Sequence, residues 1–247
     1  MPDLMFNGTN RQGLIVYGGE ASDDYGIVVS EAPAFDKPVR KTEVINVPGR
    51  NGSVLFQQNA FEDVTRTYDV WVCEGIDNLA VKVNAVSAWL LSKTGYQRLE
   101  DSFEPDVFRL AYYNGGNEFT NQLMTAGSAA LSFTCRPERF YKEGEIPVSV
   151  SNGDKILNLT KFASKPLIHI EGSGTVTVSI GGETITAKDL VDYINIDCDR
   201  MDAYRLTSEN KNDKISGTFP TIKSGSNTIA TTGTITKLEI TPRYFTI

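Results

Sequence analysis

The chain has 247 residues, 24 basic against 31 acidic, and a formal net charge of −7 at pH 7. That is long enough for one large or two ordinary domains with a real core. Its scattered Lys and Arg form no basic stripe, which excludes tight binding of a phosphate backbone.

The opening "MPDLMFNGTNRQG" has neither a basic n-region nor an apolar h-region, and no later run is long enough to span a bilayer. The expectation is a soluble protein made in the cytoplasm without a signal peptide and with no membrane insertion. The Asn-X-Ser/Thr triplets at Asn7, Asn51 and Asn158 then carry no glycosylation consequence. Cys73, Cys135 and Cys198, about sixty residues apart, supply neither a disulfide framework nor a Cys-x-x-Cys half-site, and are read as small core hydrophobes.

In the first half "YGIVVSEAPAF", "KTEVINV", "SVLFQ" and "TRTYDVWVCEG" show the alternation of half-buried strands. The linking "VPGRNGS" contains Asn51-Gly52, a dipeptide that supplies the positive φ angles of a tight hairpin. It lacks a Gly-Lys-Ser/Thr ending and joins strand to strand, so it is no phosphate loop. "DNLAVKVNAVSAWLLSKTG" breaks the β pattern: Leu79, Val83, Val86 and Leu90 recur at helical spacing, Asp77 suits an N-cap and Gly95 a close. A helix over roughly 77–93 is predicted, with Trp89 packed in the core.

Strands resume with "YQRLED", "VFRLAYY" and "SAALSFTCRPERFY". The polar, Gly-rich "KEGEIPVSVSNGDK" with Pro147 places a domain boundary so that 1–145 and 146–247 are separate units. The second unit reads as many short strands: "KPLIHIEG", "GTVTVSIGG", "ETITA", "YINIDCD", "AYRLT", "GTFPTIKSG", "NTIATTG" and "TKLEITPRYF". The predicted fold class is mainly β, in two domains, an N-terminal β-sandwich with one α-helix and a C-terminal sandwich of jelly-roll type. In "FPTIKSGSNTI", Pro220 belongs at a strand end, and Ser224 to Asn227 form a turn into a strand starting at Thr228.

No catalytic, cofactor-binding or metal-ligating set emerges. His169 is the single histidine, on the face of its strand opposite Ile168 and Ile170, and no Gly-x-Ser-x-Gly elbow accompanies it. Asp197 and Asp199 share one strand face at about 7 Å, a spacing that paired glycosidase carboxylates or a calcium site would use. The alternation instead puts Ile194, Ile196 and Cys198 in the core and leaves Asn195, Asp197 and Asp199 in solvent. A sugar site would draw on Tyr193, Tyr204, Phe219, Tyr244 and Phe245.

Four stretches carry a family resemblance: "EAPAFDKPVRKTEVINVPGRNGSV", "VSAWLLSKTGYQRLEDSFEPDVFRLAYYN", "FTCRPERFY", and the series "LTKFASKPLIHIEGSGTVTVSI", "FPTIKSGSNTI" and "GTITKLEITPRYFTI". Together they resemble the distal tail proteins of long-tailed bacteriophages. The resemblance implies an N-terminal sandwich bearing a helix, a galectin-like C-terminal sandwich, and no active site or cofactor. It implies a homohexameric ring at the virion tail tip. That ring would sit between the tail tube protein and the tail-tip hub or fibre protein, with a receptor-binding protein attached in some phages and DNA only in transit. No surplus segment between 150 and 247 matches the long arm or sugar-binding insertion of some members. The ring-interface candidates are Pro48, Gly49, Arg50, Asn51 and Gly52, on a hairpin with Arg50 at its tip. The alternative functions are a carbohydrate-binding module for host cell-wall sugar, and a hydrolase using Asp197 and Asp199.

Overall fold

A computed structural model describes residues 13–73, 79–116, 119–123, 126–206 and 209–247. The expectations placed on Asn7, Asp77 and the Cys73 side chain lie outside the described residues. The chain is mainly β, with one α-helix among the described residues, and divides into two compact units. One comprises the residues up to Arg139 with Ile247, the other Phe140–Thr246.

In the first unit, strands β1 (Ile15–Tyr17), β2 (Glu20–Ala21), β3 (Ile27–Val29), β4 (Arg40–Ile45), β5 (Val54–Phe61) and β6 (Val64–Cys73) precede helix α1 (Leu79–Leu91). After it come β7 (Gln97–Asp101), β8 (Val107–Tyr113), β9 (Thr120–Leu123) and β10 (Ala126–Tyr141). The main sheet runs β2-β1-β7-β8-β10-β6-β3, while β4 and β5 pair only with each other. The stretch from Tyr25 to Phe35, expected as one long strand, is strand only at Ile27–Val29.

Alternation sets the core. Tyr68, Val70 and Val72 of β6 face inward opposite Leu131 and Phe133 of β10, and Thr67 and Asp69 face out. The helix closes this core with Leu79, Val86, Trp89 and Leu90 buried, as its spacing predicts, Val83 being partly buried against the same cluster. Trp89 is stacked on Tyr25 at 4.8 Å, and its indole N–H donates to the Tyr17 carbonyl at 3.2 Å. Burying a ring of this size stabilises by roughly 1.5–3 kcal/mol, and the hydrogen bond satisfies its one polar atom.

The second unit contains β11 (Val148–Ser149), β12 (Lys155–Asn158), β13 (Leu167–Ile180), β14 (Glu183–Asp197), β15 (Asp202–Arg205), β16 (Glu209–Asn210), β17 (Ile215–Gly217), β18 (Gly225–Thr241) and β19 (Phe245–Thr246). Its sheet order is β11-β18-β13-β14-β15-β16, with β12 on β18 and β17 on β14. Six of the eight short strands expected from the sequence are in fact halves of the three long ones β13, β14 and β18, while "AYRLT" is the short β15 and "GTFPTIKSG" is mostly not strand. β13 and β14 join through the two-residue Gly181-Gly182 turn, and both β14 and β18 pair along the length of β13.

The glycines that looked like strand ends are bends. Register shifts fall at Glu171/Gly172, Ser173/Thr177 and Gly174/Val176, where extra residues kink the ladder without ending it. Curled at these bends, the sheet encloses one core that takes Ile168 and Ile170 from one half of β13 and Val176, Val178 and Ile180 from the other. Both domains are thus β-sandwiches.

"FPTIKSGSNTI" corrects a detail. β18 already begins at Gly225, and Asn227 is buried rather than part of an exposed turn. Its side chain accepts from the Lys223 amide at 3.0 Å and donates to the Lys223 carbonyl at 2.7 Å, so it closes the turn from inside the strand. Asn158 has the same kind of role, buried and donating to the carbonyls of Phe162 and Ile222, each at 2.9 Å.

Candidate functional site

One feature among the described residues of the first unit stands apart from its core, the β4–β5 ribbon, whose strands pair only with each other. Pro48 to Gly52 are all exposed at its tip. The turn there is not the two-residue Asn-Gly hairpin the sequence suggests. The strands part at the Ile45–Val54 pair, and an eight-residue loop follows. Within it the Arg50 amide donates to the Val47 carbonyl at 3.2 Å, with Pro48 and Gly49 (φ 79°) at the two central positions. That is a type II turn, in which proline presets the first angle and only glycine readily takes the second. Gly52 (φ 80°) turns the chain again toward β5, and Ser53 Oγ bonds Asn46 Oδ1 at 2.6 Å. The geometry wins over the dipeptide signal because Pro48-Gly49 satisfies a turn first.

The ribbon exposes polar residues along most of its length, Arg40 to Glu43 and Gln57 to Asn59, and apolar ones at the end nearest the loop. Cross-strand pairing puts Val44 with Leu55 on one face, and Ile45 with Val54 beside Phe56 on the other. Val44, Ile45, Leu55 and Phe56 are 45–60% exposed. A free two-stranded ribbon is marginal in water, and exposing apolar rows on both faces makes it more so. Such an arm gains stability by being covered. Its charge is also unlike that of the chain: residues 37–53 carry Lys37, Arg40, Lys41 and Arg50 against Glu43 alone.

The chemistry candidates resolve differently. His169 sits between Asn195 and Glu171, with Nδ1 2.8 Å from Asn195 Oδ1 and Nε2 3.3 Å from Glu171 Oε1, as a cross-strand histidine. Asp197 is a correction. It is buried, not solvated, and β14 ends at it, so Asp199 belongs to the following turn and no shared strand face exists. The Arg243 guanidinium forks onto Asp197 at 2.7 and 3.0 Å, and the Asp199 and Arg200 amides donate to Oδ1 at 3.0 and 3.2 Å. Burial pushes this carboxyl up, but Arg243 and the two amides outweigh it and hold it below the usual 3.8.

An Asp197→Asn variant should therefore lose about 1.5–3 kcal/mol of unfolding free energy at pH 7. The deficit should narrow as pH falls below about 3.8, because the wild-type carboxylate stabilises above that value and loses its advantage on protonation through the lowered one. Urea titrations of both proteins at pH 7 and pH 3 check this, and equal stability at pH 7 would refute the buried pair.

Of the five aromatics offered as a sugar platform, Phe219 and Tyr244 pack against the core and Phe245 stacks on Phe162 at 5.6 Å. Tyr193 is flanked by His169 at 5.5 Å and by the Arg205 guanidinium at 5.3 Å. Cys135 and Cys198 are buried, and burial pushes both thiols up to about 12, far from a reactive thiolate.

The sequence reading missed a buried ion network in the first unit. Arg66 of β6 reaches Asp101 at 3.2 Å and Glu104 at 3.4 Å. Arg109 pairs with Glu104, and Arg139 reaches Glu104 at 2.8 Å. Tyr68 Oη donates to Asp101 at 2.7 Å, and Asp101 Oδ1 accepts from the amides of Phe103 and Glu104. Each guanidinium is engaged by carboxylates of the same unit, so the cleft that Arg66, Arg109 and Arg139 line is braced rather than built to capture an anion. The signal was available: Arg66 shares strand parity with Tyr68 and Val70, and a core-facing arginine demands a partner.

Among the described residues no group of three or more His, Cys, Asp or Glu could hold a metal ion, and no helix is long and apolar enough to cross a membrane. Neither a family profile nor a curated protein sequence matches the chain. Its fold is nevertheless that of a solved protein. The crystal structure of SPP1 Dit (gp 19.1), described as a paradigm of the hub adsorption apparatus in phages infecting Gram-positive bacteria, superposes with a TM-score of 0.77. The match has 13% identity and covers 96% of this chain and 100% of that one.

Proposed function

We propose that this protein is a structural distal tail component of a long-tailed phage, a non-enzymatic hub at the tail tip. The observation that carries this reading is the likeness in fold to SPP1 Dit, which covers 96% of this chain and 100% of that one. The finer picture belongs to the same proposal. Six copies, each with a galectin-like second sandwich, close into a ring between tail tube protein and tail-tip hub or fibre protein, DNA passes through the hole, and a receptor-binding protein attaches in some phages. An acid surplus of −7 suits a channel along which DNA slides without adhering.

The ring needs a contact between copies, and the exposed apolar arm supports assigning it there, with Pro48, Gly49, Arg50, Asn51 and Gly52 at the tip. Light scattering on the purified protein, with negative-stain images of the same fractions, is expected to show a particle of about 163 kDa, six times 27.2 kDa, with a central hole. A chain that stays at 27.2 kDa up to its highest soluble concentration would overturn the ring.

A further inference from the structure

We infer that the arm of one copy lands on the outer face of β3 and β6 of the next copy, centred on Val28 and Trp71. This rests on the ring reading above and adds the surface that receives the arm.

The arm presents apolar rows, so its acceptor must present apolar surface. Outside the arm and its flanks, the large apolar side chains exposed among the described residues of the first unit are Val28, Trp71, Val81, Leu91 and Tyr96. Tyr96 is already used: its hydroxyl donates to Asp63 at 3.2 Å, and its ring meets Tyr112 and the Arg136 guanidinium. Val81 and Leu91 lie ten residues apart on α1, about 15 Å along the axis, and make no joint surface. Val28 and Trp71 are direct cross-strand partners, 50% and 37% exposed, and form one patch.

The ground around that patch is flat. Ser128 stands opposite Trp71, Ala130 opposite Asp69, and Thr67 opposite Ser132, all outward-facing on β6 and β10. Small side chains of this kind let a second β layer approach to about 10 Å, with Trp71 as the one projecting anchor. Charge agrees as well. The arm, Arg40–Phe61, carries three basic residues (Arg40, Lys41 and Arg50) against Glu43, while exposed Asp69 adjoins Trp71 on its face, and exposed Asp24 and Glu31 bracket β3 in sequence. On a chain of net charge −7, a basic arm and an acid-rimmed acceptor steer unlike patches together and keep like patches apart. A donor and a separate acceptor on one chain make a heterologous contact, the kind that closes into rings.

The test mixes two broken chains. Leu55→Glu with Phe56→Glu disables the arm, and Trp71→Glu disables the acceptor. A second acceptor variant, Val28→Lys, guards against a misfolded Trp71 substitution, and far-ultraviolet circular dichroism checks each fold. Each variant alone is expected to lose self-association at least about 30-fold. The arm variant and an acceptor variant mixed in equal amounts should form dimers of about 54 kDa, twice 27.2 kDa, and nothing larger, because one intact interface remains between them. Sedimentation analysis reads all three species. Acceptor variants that assemble like wild type, or a mixture of folded variants that stays monomeric, would overturn this assignment while leaving the ring in place. A wild type that never assembles would overturn both.

Discussion

An Asp101→Ala variant is expected to lose about 3–5 kcal/mol of unfolding free energy, a large share of the 5–15 kcal/mol typical of a domain. The substitution strands several groups at once. Arg66, whose side chain is 3% exposed, loses a carboxylate at 3.2 Å, the buried Tyr68 hydroxyl loses its acceptor at 2.7 Å, and two turn amides lose theirs. A buried charge without its partner is costlier than the pair is favourable, so removal of one member is worse than replacement of both. Urea unfolding at neutral pH measures the loss, and a change under about 1 kcal/mol would mean that water reaches the network. An Asp101→Leu, Arg66→Met double variant should recover part of the deficit.

Glu104 gives the same network a pH dependence. Burial pushes its carboxyl up, while Arg109, Arg139 and Arg66 together outweigh that and leave it below the usual 4.5. A depressed folded value means that the stabilisation is complete above 4.5 and fades as pH falls through the lowered value. The first unit should therefore soften in acid.

The second large effect lies at the bend of the long strands. Valine in place of Gly233 is expected to cost about 3 kcal/mol or more, because two penalties coincide. The backbone there has φ 91°, and a Cβ would stand 2.3 Å from the Thr175 carbonyl oxygen, which is fixed in the neighbouring strand and cannot swing away. Gly172 is the companion position, where a Cβ would meet the Thr234 carbonyl oxygen at 2.2 Å. Gly174 is the control: it also has positive φ, but open space surrounds its Cβ direction, so Asn there should cost only about 1 kcal/mol. Thermal melts of the Gly233→Val and Gly174→Asn variants separate the cases. If Gly233→Val and Gly174→Asn melt together, steric closure at the bend is not what fixes the glycine.

The sequence by itself determined most of the local structure and the direction of most side chains. The alternation that places Tyr68, Val70 and Val72 inward is written in β6, and the 3.6-residue spacing that buries Val86 and Leu90 is written in α1. His169 was legible as a cross-strand residue for the same reason. Even Arg66 and Asp101 were readable as inward-facing charges, since each shares parity with core neighbours on its own strand.

What periodicity reports is which way a side chain points; it does not say what waits there. Asp197 was placed on the face opposite the core, and only the tertiary structure brings Arg243 onto it from 46 residues away. Arg66 and Asp101, 35 residues apart, meet in the same way. The glycines of β13 and β18 read as breaks because glycine both ends and bends strands, and the choice depends on whether a neighbouring strand continues the ladder past the kink. The arm is the clearest case. Val44, Ile45, Leu55 and Phe56 have the sequence of an ordinary hairpin that some core would cover, and only the fold shows its own unit leaving them in water. Burial is a property of long-range packing, which local pattern does not contain.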